Sequence, residues 1–318
     1  MTKITSSMFI AALLGICLHV APAQAQYVRT CVSANGNDAN TCHCSQPCRT
    51  FQRAHDQTLS DGEVTVLDPG GYGPVTITKS ISIVNDGVGE ASIQVSGGGT
   101  GIIINAPNGA GYVNLRGITI QGVGFGGGIG LRFNTGFSLT ITNCVVRNHT
   151  GNGIEFFPSA SSTLEMSNTL VADNGGSGIL VQPIGSSTIA RVVVSRSEVY
   201  NNSAQGLFVN GTFGTGVTHI HATVADSVVA GNRSHGIRAT SNTTQQTIVI
   251  LVRSVAASNG VGVLAEGVHA TVRVGQSTIS GNGGFGWVGV SDGTVLSYGD
   301  NNVDGNGGDQ GVAIIPKR

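Results

Sequence analysis

One glycine returns along this chain at nearly constant spacing, and it is followed by an apolar residue, an arbitrary residue and usually a second apolar one. Nine copies occur, separated by steps of 24 to 30 residues. The glycines are Gly101, Gly128, Gly153, Gly178, Gly206, Gly236, Gly262, Gly286 and Gly311. A period of this length predicts a repeat architecture in which each unit packs only on its neighbours.

The residues around each glycine predict three short strands per repeat. Apolar side chains stand one and three positions after it, as Ile237 and Ala239 do, and this period of two places both on one strand face. Further apolar positions precede the glycine by seven, twelve and fourteen residues, as Val199, Val194 and Val192 precede Gly206. Such a unit cannot bury its own core. We therefore expect an all-β, single-stranded parallel β-helix of about ten coils, with neighbouring coils ~4.8 Å apart.

An asparagine recurs four residues before the glycine. It is found at Asn174, Asn202, Asn232 and Asn282, while His149, Ser258 and Gly307 occupy this position in other repeats. Asparagine tolerates left-handed backbone and hydrogen-bonds to its own turn. The pattern predicts a stacked side-chain ladder at one corner of the coils.

Composition limits the possible partners. Charged residues make up 10% of the chain, aromatic residues 5%, and the net charge is -1. This leaves too little basic charge for a nucleic-acid partner. The β-branched and apolar content is also too high for a disordered chain. No sequence feature implies a cofactor.

The first residues have the features of a signal peptide. Lys3 is followed by an apolar run over residues 8–20 and by the small-residue site Ala23-Gln24-Ala25. The run is too short to span a bilayer, and later apolar runs are interrupted, so no membrane span is expected. We predict a signal peptide over residues 1–25, an N-terminal cap over 26–61 and the β-helix over 62–318, in a protein that is secreted or periplasmic.

Four cysteines lie within eighteen residues of the predicted cap, at Cys31, Cys42, Cys44 and Cys48. Disulfides are expected in an exported protein, and three pairings are possible. We favour Cys42–Cys48 with Cys31–Cys44, because a bond between Cys42 and Cys44 is geometrically unfavourable. A metal cluster is the alternative, but the segment lacks a paired CxxC spacing. The remaining Cys144 is expected to be a small buried residue.

The segment "SQPCRTFQRAHDQT" predicts a short helix that covers the open apolar end of the solenoid. Ser45 is the expected N-cap, Pro47 lies near the first turn, and Phe51, Ala54 and Leu59 would face the core.

The motif N-x-x-x-G-I, as in "NRSHGI" and "NNSAQGL", resembles the right-handed parallel β-helix proteins of the pectin-lyase-like superfamily over about residues 62–315. The start of the mature chain, with "PCRTF" and "DPGGYGPVTITKSISI", is similar to bacterial exported β-helix proteins of unassigned activity. The resemblance implies the fold and its right-handedness. It implies no particular reaction, because one fold carries many functions.

Enzymes of this superfamily cleave or epimerise acidic sugars, and the stretch "AGNRSHGIRA" contains a His-Gly pair followed by an arginine. The resemblance to polygalacturonase-like hydrolases implies paired aspartates, Gly-His-Gly and Arg-x-Lys, and these motifs are absent. Gly236 is also a repeat glycine. A structural role therefore accounts for most of the stretch, leaving only His235 and Arg238 as candidate catalytic residues.

Two further patterns suggest metal ligands. His219 and His221 share one outward strand face, but no third ligand is evident. The sequence "DNNVDGNGGDQG" provides Asp300, Asn302 and Asp304 at the spacing of a calcium loop, but Gly311 replaces the bidentate acid at its end. No metal site is predicted.

The position two residues after each glycine is expected to point outward, yet it is unusually apolar. It reads Ile103, Gly130, Glu155, Leu180, Phe208, Arg238, Leu264, Val288 and Ala313. An outward apolar stripe is unusual on a lone soluble rod. Leu180, Phe208, Arg238, Leu264 and Val288 are therefore the predicted binding stripe, unless a loop covers it or the register slips.

Three hypotheses follow for function. The first is a non-catalytic exported protein that binds a polysaccharide or a cell-surface component. The second is a lyase, hydrolase or epimerase acting on an acidic glycan. The third is a structural rod that associates through the predicted stripe.

Overall fold

The computed structural model describes residues 26–122, 126–214 and 216–317. They form a parallel β-solenoid with one short helix, which confirms the predicted fold class. Three sheets run along its length, and we name them S1, S2 and S3 in the order in which a coil visits them. They contain twelve, ten and nine strands. The predicted signal peptide lies outside the described residues. No helix among these residues is both long and apolar enough to cross a membrane.

Strand boundaries follow the repeat closely. Sheet S1 contains Tyr27–Val32, Thr58–Val66, Ile81–Val84, Tyr112–Arg116, Ser138–Thr142, Ser162–Ser167, Ile189–Ser195, His219–Ala225, Gln246–Val252, Ala270–Gly275, Thr294–Ser297 and Ala313–Ile314. Sheet S2 contains Gly70–Gly71, Ala91–Gln94, Ile118–Gln121, Val145–Arg147, Leu170–Ala172, Glu198–Tyr200, Val228–Ala230, Val255–Ala257, Thr278–Ser280 and Asn302–Asp304. Sheet S3 contains Val75–Ile77, Thr100–Asn105, Ile129–Thr135, Ile154–Phe156, Ile179–Val181, Leu207–Asn210, His235–Thr240, Val261–Glu266 and Trp287–Val290.

The core is a continuous aliphatic column inside the three sheets. Alternate residues of each strand are buried, as predicted for Val192 and Val194 in S1, Val199 in S2, and Leu207 and Val209 in S3. The repeat glycines stand where each chain enters S3. A Cβ at Gly206 would lie 2.7 Å from the Asn232 amide nitrogen and 2.8 Å from the Gly236 carbonyl oxygen, so a side chain has no room there.

Two of the nine predicted repeat positions are wrong. In the register of S3, Leu131 pairs with both Ile102 and Ile154, so the repeat glycine of that coil is Gly130 and not Gly128. The segment that leads into this strand contains several glycines, and both Gly128 and Gly130 fit the sequence spacing. Only pairing with the neighbouring coils shows which one is the repeat glycine. In the last coil the Gly286 N–H donates to the carbonyl of Gly308, which places Asp309 rather than Gly311 at the repeat position.

The asparagine ladder forms at the corner between S2 and S3, with two corrections to its members. Each side-chain amide donates to the side-chain oxygen of the next coil at 2.9 to 3.1 Å, and the members are Asn174, Asn202, Asn232, Asn259, Asn282 and Asn306. Asn259 and Asn306 replace the predicted Ser258 and Gly307. The left-handed residue of each turn directly precedes the ladder residue, as Ser258 does with a φ of 54°. Turn and ladder are therefore separate neighbouring positions.

The N-terminal end is closed by the helix Phe51–Gln57 and two disulfides. The bonds are Cys31–Cys44 and Cys42–Cys48, the favoured pairing. The predicted helix start at Ser45 is wrong, because the Thr50 side chain accepts from the Arg53 N–H and caps the first turn. Phe51 and Ala54 are buried as expected.

Two smaller predictions complete the description of the core. Leu59 was expected to face the core, but it lies on the following S1 strand and is 39% exposed. Cys144 is buried, as predicted, and burial raises the pKa of its thiol to about 11.

Candidate functional site

The five residues of the predicted binding stripe occupy one outward column of S3. Leu180, Phe208, Arg238, Leu264 and Val288 pair in register across five consecutive strands. Two members predicted for the full column are wrong. Arg132, not Gly130, pairs with Glu155 in this column, and Ala313 lies in a strand of S1. Leu264 is 7% exposed and the other four are half-buried. The binding role of this stripe stays a prediction.

Charges on the outer face of S3 are paired with one another. The Arg132 guanidinium lies 2.6 Å from the Glu155 carboxylate, and Arg238 lies 2.6 Å from Glu266. Arg238 also stacks 4.9 Å above the Phe208 ring. A cavity of about 150 Å³ lies beside this pair, and its lining consists of Phe208, Asn210, Thr212, Arg238, Thr240, Ser241 and Glu266. The S3 face therefore has few charges free for a ligand.

His235 belongs to this paired surface. Its Nδ1 lies 2.7 Å from the Ser234 hydroxyl. Burial, and secondarily the nearby Arg238, lowers the pKa of His235, while Glu266 acts in the opposite sense. The sequence pattern correctly grouped His235 and Arg238, but it could not show that a glutamate 28 residues later holds the arginine.

The outer face of S1 is built differently. Strand register aligns its outward residues in several columns, and two neighbouring ones are named column one and column two. Column one contains Tyr112, Ser138, Thr163, Arg191, His221, Ile248, Thr271 and Thr294. Column two contains Asn114, Thr140, Glu165, Val193, Thr223, Ile250, Arg273 and Leu296. The S1 face therefore presents hydroxyl, amide, cationic and aromatic groups in rows along the rod.

Two arginines on this face have no protein partner. Within the described residues, neither the Arg191 nor the Arg273 guanidinium forms a hydrogen bond or ion pair. They stand three strands apart, which corresponds to ~14 Å along the rod. Glu165 is the acidic residue closest to them in register, one strand before Arg191 and in the other column. Unpaired guanidiniums are well suited to bidentate binding of carboxylates or phosphates.

A groove lies on the same face, toward the C-terminus. Its volume is about 770 Å³, and it is lined by Ile250, Val252, Arg273, Gly275, Gln276, Leu296, Tyr298, Asp300, Ile315, Pro316 and Lys317. Lys317 lies 2.6 Å from Asp300, so Arg273 is the unpaired charge of this groove. An apolar floor with a cation and an aromatic ring can hold a polar organic ligand.

His219 and His221 project from one strand of S1, as predicted. Their rings stack at 6.5 Å between centroids. Partial burial lowers the pKa of His221, with smaller contributions from His219 and Arg191. His221 is therefore mainly neutral at neutral pH and lies within electrostatic reach of a guanidinium. Searched over the described residues, the chain has no group of three or more His, Cys, Asp or Glu side chains arranged to hold a metal.

The calcium-like segment forms part of the final coil. Asn302–Asp304 is an S2 strand rather than a loop. One Asp300 carboxylate oxygen accepts from the Gln276 backbone N–H, and the other faces Lys317. The Lys317 ion pair and backbone hydrogen bond lower the pKa of Asp300. These contacts account for the acidic residue with which the motif begins.

Residues 75–249 match the protein family described as the right-handed beta helix region, and they include most of S1, S2 and S3. The chain belongs to this right-handed β-helix family. A comparison of the β-helix with curated protein sequences gives no match.

Solved structures share the fold of this β-helix. A pectate lyase, Pel9A, superposes with a TM-score of 0.61 at 18% identity, over 90% of this chain and 81% of the lyase. An alginate lyase from Paenibacillus sp. str. FPU-7 superposes with a TM-score of 0.59 at 14% identity, over 90% of this chain and 99% of the lyase. Identities this low show the fold alone.

Sequence reasoning found His219 and His221 on the S1 face but did not group them with Arg191 and Arg273. Arg191, His221 and Arg273 stand at the polar alternate positions of strands whose apolar residues were recognised. A column-by-column alignment of these positions would have grouped them, but it requires the exact register across loops of different length.

Proposed function

We infer that this protein binds an acidic polysaccharide along the outer face of S1. The observation that carries the proposal is the pair of unpartnered guanidiniums, Arg191 and Arg273, on one side of a straight rod. Guanidinium groups left in water without a carboxylate partner offer two bidentate anchors for the carboxylates of a uronate chain. The outer S3 face lacks this property, because Arg132 and Arg238 are already neutralised.

The shape of the face supports an extended ligand. Coils stacked ~4.8 Å apart form a nearly flat, elongated surface with its functional groups in rows. Between the two arginines stand His221, Thr223 and Ile250, which combine hydrogen-bonding and apolar groups. Sugars present both kinds of surface.

Two further findings are consistent with this proposal. Pectate and alginate, after which the two similar lyases are named, are both polyuronates. The two disulfides suit a protein that works outside the cytosol, where such polymers occur. Export itself remains part of the proposal.

The test is a binding titration with full-length protein. Polygalacturonate and alginate are the probes, and dextran is the neutral control polymer. We expect Arg191→Gln/Arg273→Gln to weaken polyuronate binding by about tenfold or more, since a hydrogen bond to a charged group contributes about 1.5–3 kcal/mol. Arg233→Gln, at an exposed corner arginine, is the matched control and is expected to bind as the wild type does.

Two outcomes would contradict this assignment. Equal binding of dextran and polyuronate by the wild type would exclude recognition of carboxylates. Loss of binding in Arg238→Gln, with the double S1 variant unaffected, would move the site to the predicted S3 stripe.

A second function, uronate β-elimination on the same face, is favoured by His221 and Arg191. A neutral imidazole can accept the proton from the sugar carbon next to the carboxylate, and a neighbouring guanidinium can stabilise the charge that develops on that carboxylate. A carbon–carbon double bond then forms as the glycosidic C–O bond breaks, and the leaving oxygen takes the proton back from the imidazolium. The lowered pKa of His221 provides the neutral base.

A further inference from the structure

Two aromatic side chains are left in water beside the outer face of S1. Tyr112 begins one S1 strand, and Phe137 lies at the bend just before the next one. Tyr112 is 50% exposed and Phe137 is 40% exposed. Their ring centroids lie 5.1 Å apart with an interplanar angle of 53°. The other aromatic pairs of the solenoid core, such as Phe133 with Phe156, are fully buried.

The backbone holds this exposed pair in place. The Tyr112 N–H donates to the Ser80 hydroxyl at 3.2 Å, and the Phe137 N–H donates to the Gly111 carbonyl at 2.8 Å. The two residues come from consecutive coils, so sheet pairing fixes the spacing of their backbones. An exposed pair of contacting aromatic rings on a protein surface often marks a place where something binds.

The pair lies in line with the unpaired arginine Arg191. Tyr112 begins the outward column that continues through Ser138 and Thr163 to Arg191 and His221. Tyr112 therefore lies three strands, or ~14 Å, from the first unpaired guanidinium, and Phe137 precedes a strand that is two strands, or ~10 Å, from it. Two hydroxyl-bearing residues and no charge separate them within the column. Nearby in column two, the Asn114 amide donates to the Ser82 hydroxyl, which adds neutral polar groups.

We propose that Tyr112 and Phe137 form a stacking platform for a sugar ring of the same polysaccharide, and that tight binding requires a chain long enough to reach both platform and arginines. This inference rests on the proposed function. The apolar C–H face of a pyranose covers aromatic rings, while its hydroxyls reach the flanking serine, threonine and asparagine. The platform and the arginines then act as two linked sites, and the second contact is gained at high effective concentration.

The two contacts differ in their dependence on salt and chain length. Guanidinium–carboxylate pairing weakens as ionic strength rises, whereas ring stacking does not. A short uronate oligomer that occupies the arginines cannot also reach the platform. The platform therefore contributes only to the binding of long chains, and its contribution persists in high salt.

The experiment compares Tyr112→Ala/Phe137→Ala with the wild type on a tetrameric oligogalacturonide and on long polygalacturonate, at low and high salt. We expect the variant to lose about tenfold in affinity for the polymer and to bind the tetramer as the wild type does. Linked sites can increase affinity by more than this. The matched control is Phe285→Ala, at a 44% exposed aromatic on the S2–S3 corner. Tyr112→Leu/Phe137→Leu preserves apolar volume and tests whether ring stacking is needed.

Each outcome decides between the proposals. Unchanged polymer affinity in the alanine variant overturns the platform while the arginine site stands. Equal losses for tetramer and polymer, or an equal loss in Phe285→Ala, also overturn it. If the wild type binds neither probe, both the proposed function and the platform fail. Circular dichroism and thermal unfolding establish that each variant is folded.

Discussion

At the scale of single residues, arginines of the same rod differ in whether a carboxylate reaches them. Arg132 and Arg238 on S3 meet glutamates from neighbouring coils at 2.6 Å, while Arg191 and Arg273 on S1 meet none in the described part of the chain. A paired guanidinium mainly stabilises its own sheet face, whereas a free one can bind an anion. Residue type alone therefore says little about function in a solenoid.

The histidine of S1 allows a residue-scale prediction about elimination activity. A general base must be neutral, so kcat/KM on polyuronate should rise with pH up to the pKa of His221 and then level off. Since that pKa is lowered from its ordinary value of 6.5, the midpoint of the rise is expected below pH 6.5. His221→Gln is expected to abolish the activity and leave polymer binding within about twofold. The measurement is ultraviolet absorbance of the unsaturated product against pH.

A variant of the neighbouring His219 distinguishes loss of the catalytic base from a change in the local charge. His219→Gln alters the electrostatics around His221 without removing the base, so its profile should shift upward in pKa and keep its maximum rate. Absence of product in the wild type at every pH would exclude elimination and leave the binding proposal untouched.

Sequence predictability also differs at this scale. The inward residues and the alternation of the S1 strands follow from patterns within one repeat. Ion pairs do not, because Arg238 and Glu266 lie 28 residues apart and meet only when two coils of unequal length come into register. The same limit explains why the sequence spacing favours Gly128 as the repeat glycine, whereas pairing with the neighbouring coils selects Gly130.

At the scale of elements, the asparagine ladder converts a turn into a continuous polar strip inside the rod. Asn232 is 1% exposed, and its amide group donates to Asn259 at 2.9 Å and accepts from Asn202 at 2.9 Å. Its Nδ2 also lies within hydrogen-bond distance of the Val199 carbonyl. Every rung is thus coupled to the rungs before and after it.

Breaking one rung should destabilise the whole solenoid. Asn232→Ala removes the oxygen that accepts from both the backbone N–H and the side-chain amide of Asn202, and it removes the amide that donates to the Val199 carbonyl. The buried Asn202 N–H is then left without a partner, and such a group costs about 1–3 kcal/mol. We expect the free energy of unfolding to fall by about 2–5 kcal/mol in urea denaturation. Asn134→Ala, which removes one exposed amide contact to Asn105, is the control and should cost less than about 1 kcal/mol. Similar losses in both variants would show that the ladder has no special role.

At the scale of the whole molecule, the two ends of the rod are unlike. The first S1 strand, Tyr27–Val32, pairs with one neighbour only, but it is packed by the helix and tied by Cys31–Cys44. The last strands, Asn302–Asp304 and Ala313–Ile314, also pair on one side, and Ile314 is 75% exposed. In a solenoid each coil is stabilised by its neighbours, so the last described strands, which pair on one side only and are largely exposed, are expected to be the least stable part.

This asymmetry predicts the pattern of amide hydrogen exchange. Amides of Asn302–Asp304 and Ala313–Ile314 should exchange at least about tenfold faster than those of the central strand His219–Ala225. Local opening of strands that are paired on one side only costs less free energy. Amides of Tyr27–Val32 should resemble the central strand while the disulfides are intact and should lose protection after reduction. Equal protection at both ends under oxidising conditions would contradict the prediction. Exchange at the C-terminal strands that is as slow as at the centre would also contradict it. In that case the groove lined by Leu296, Tyr298 and Lys317 would lie on a coil as stable as the centre.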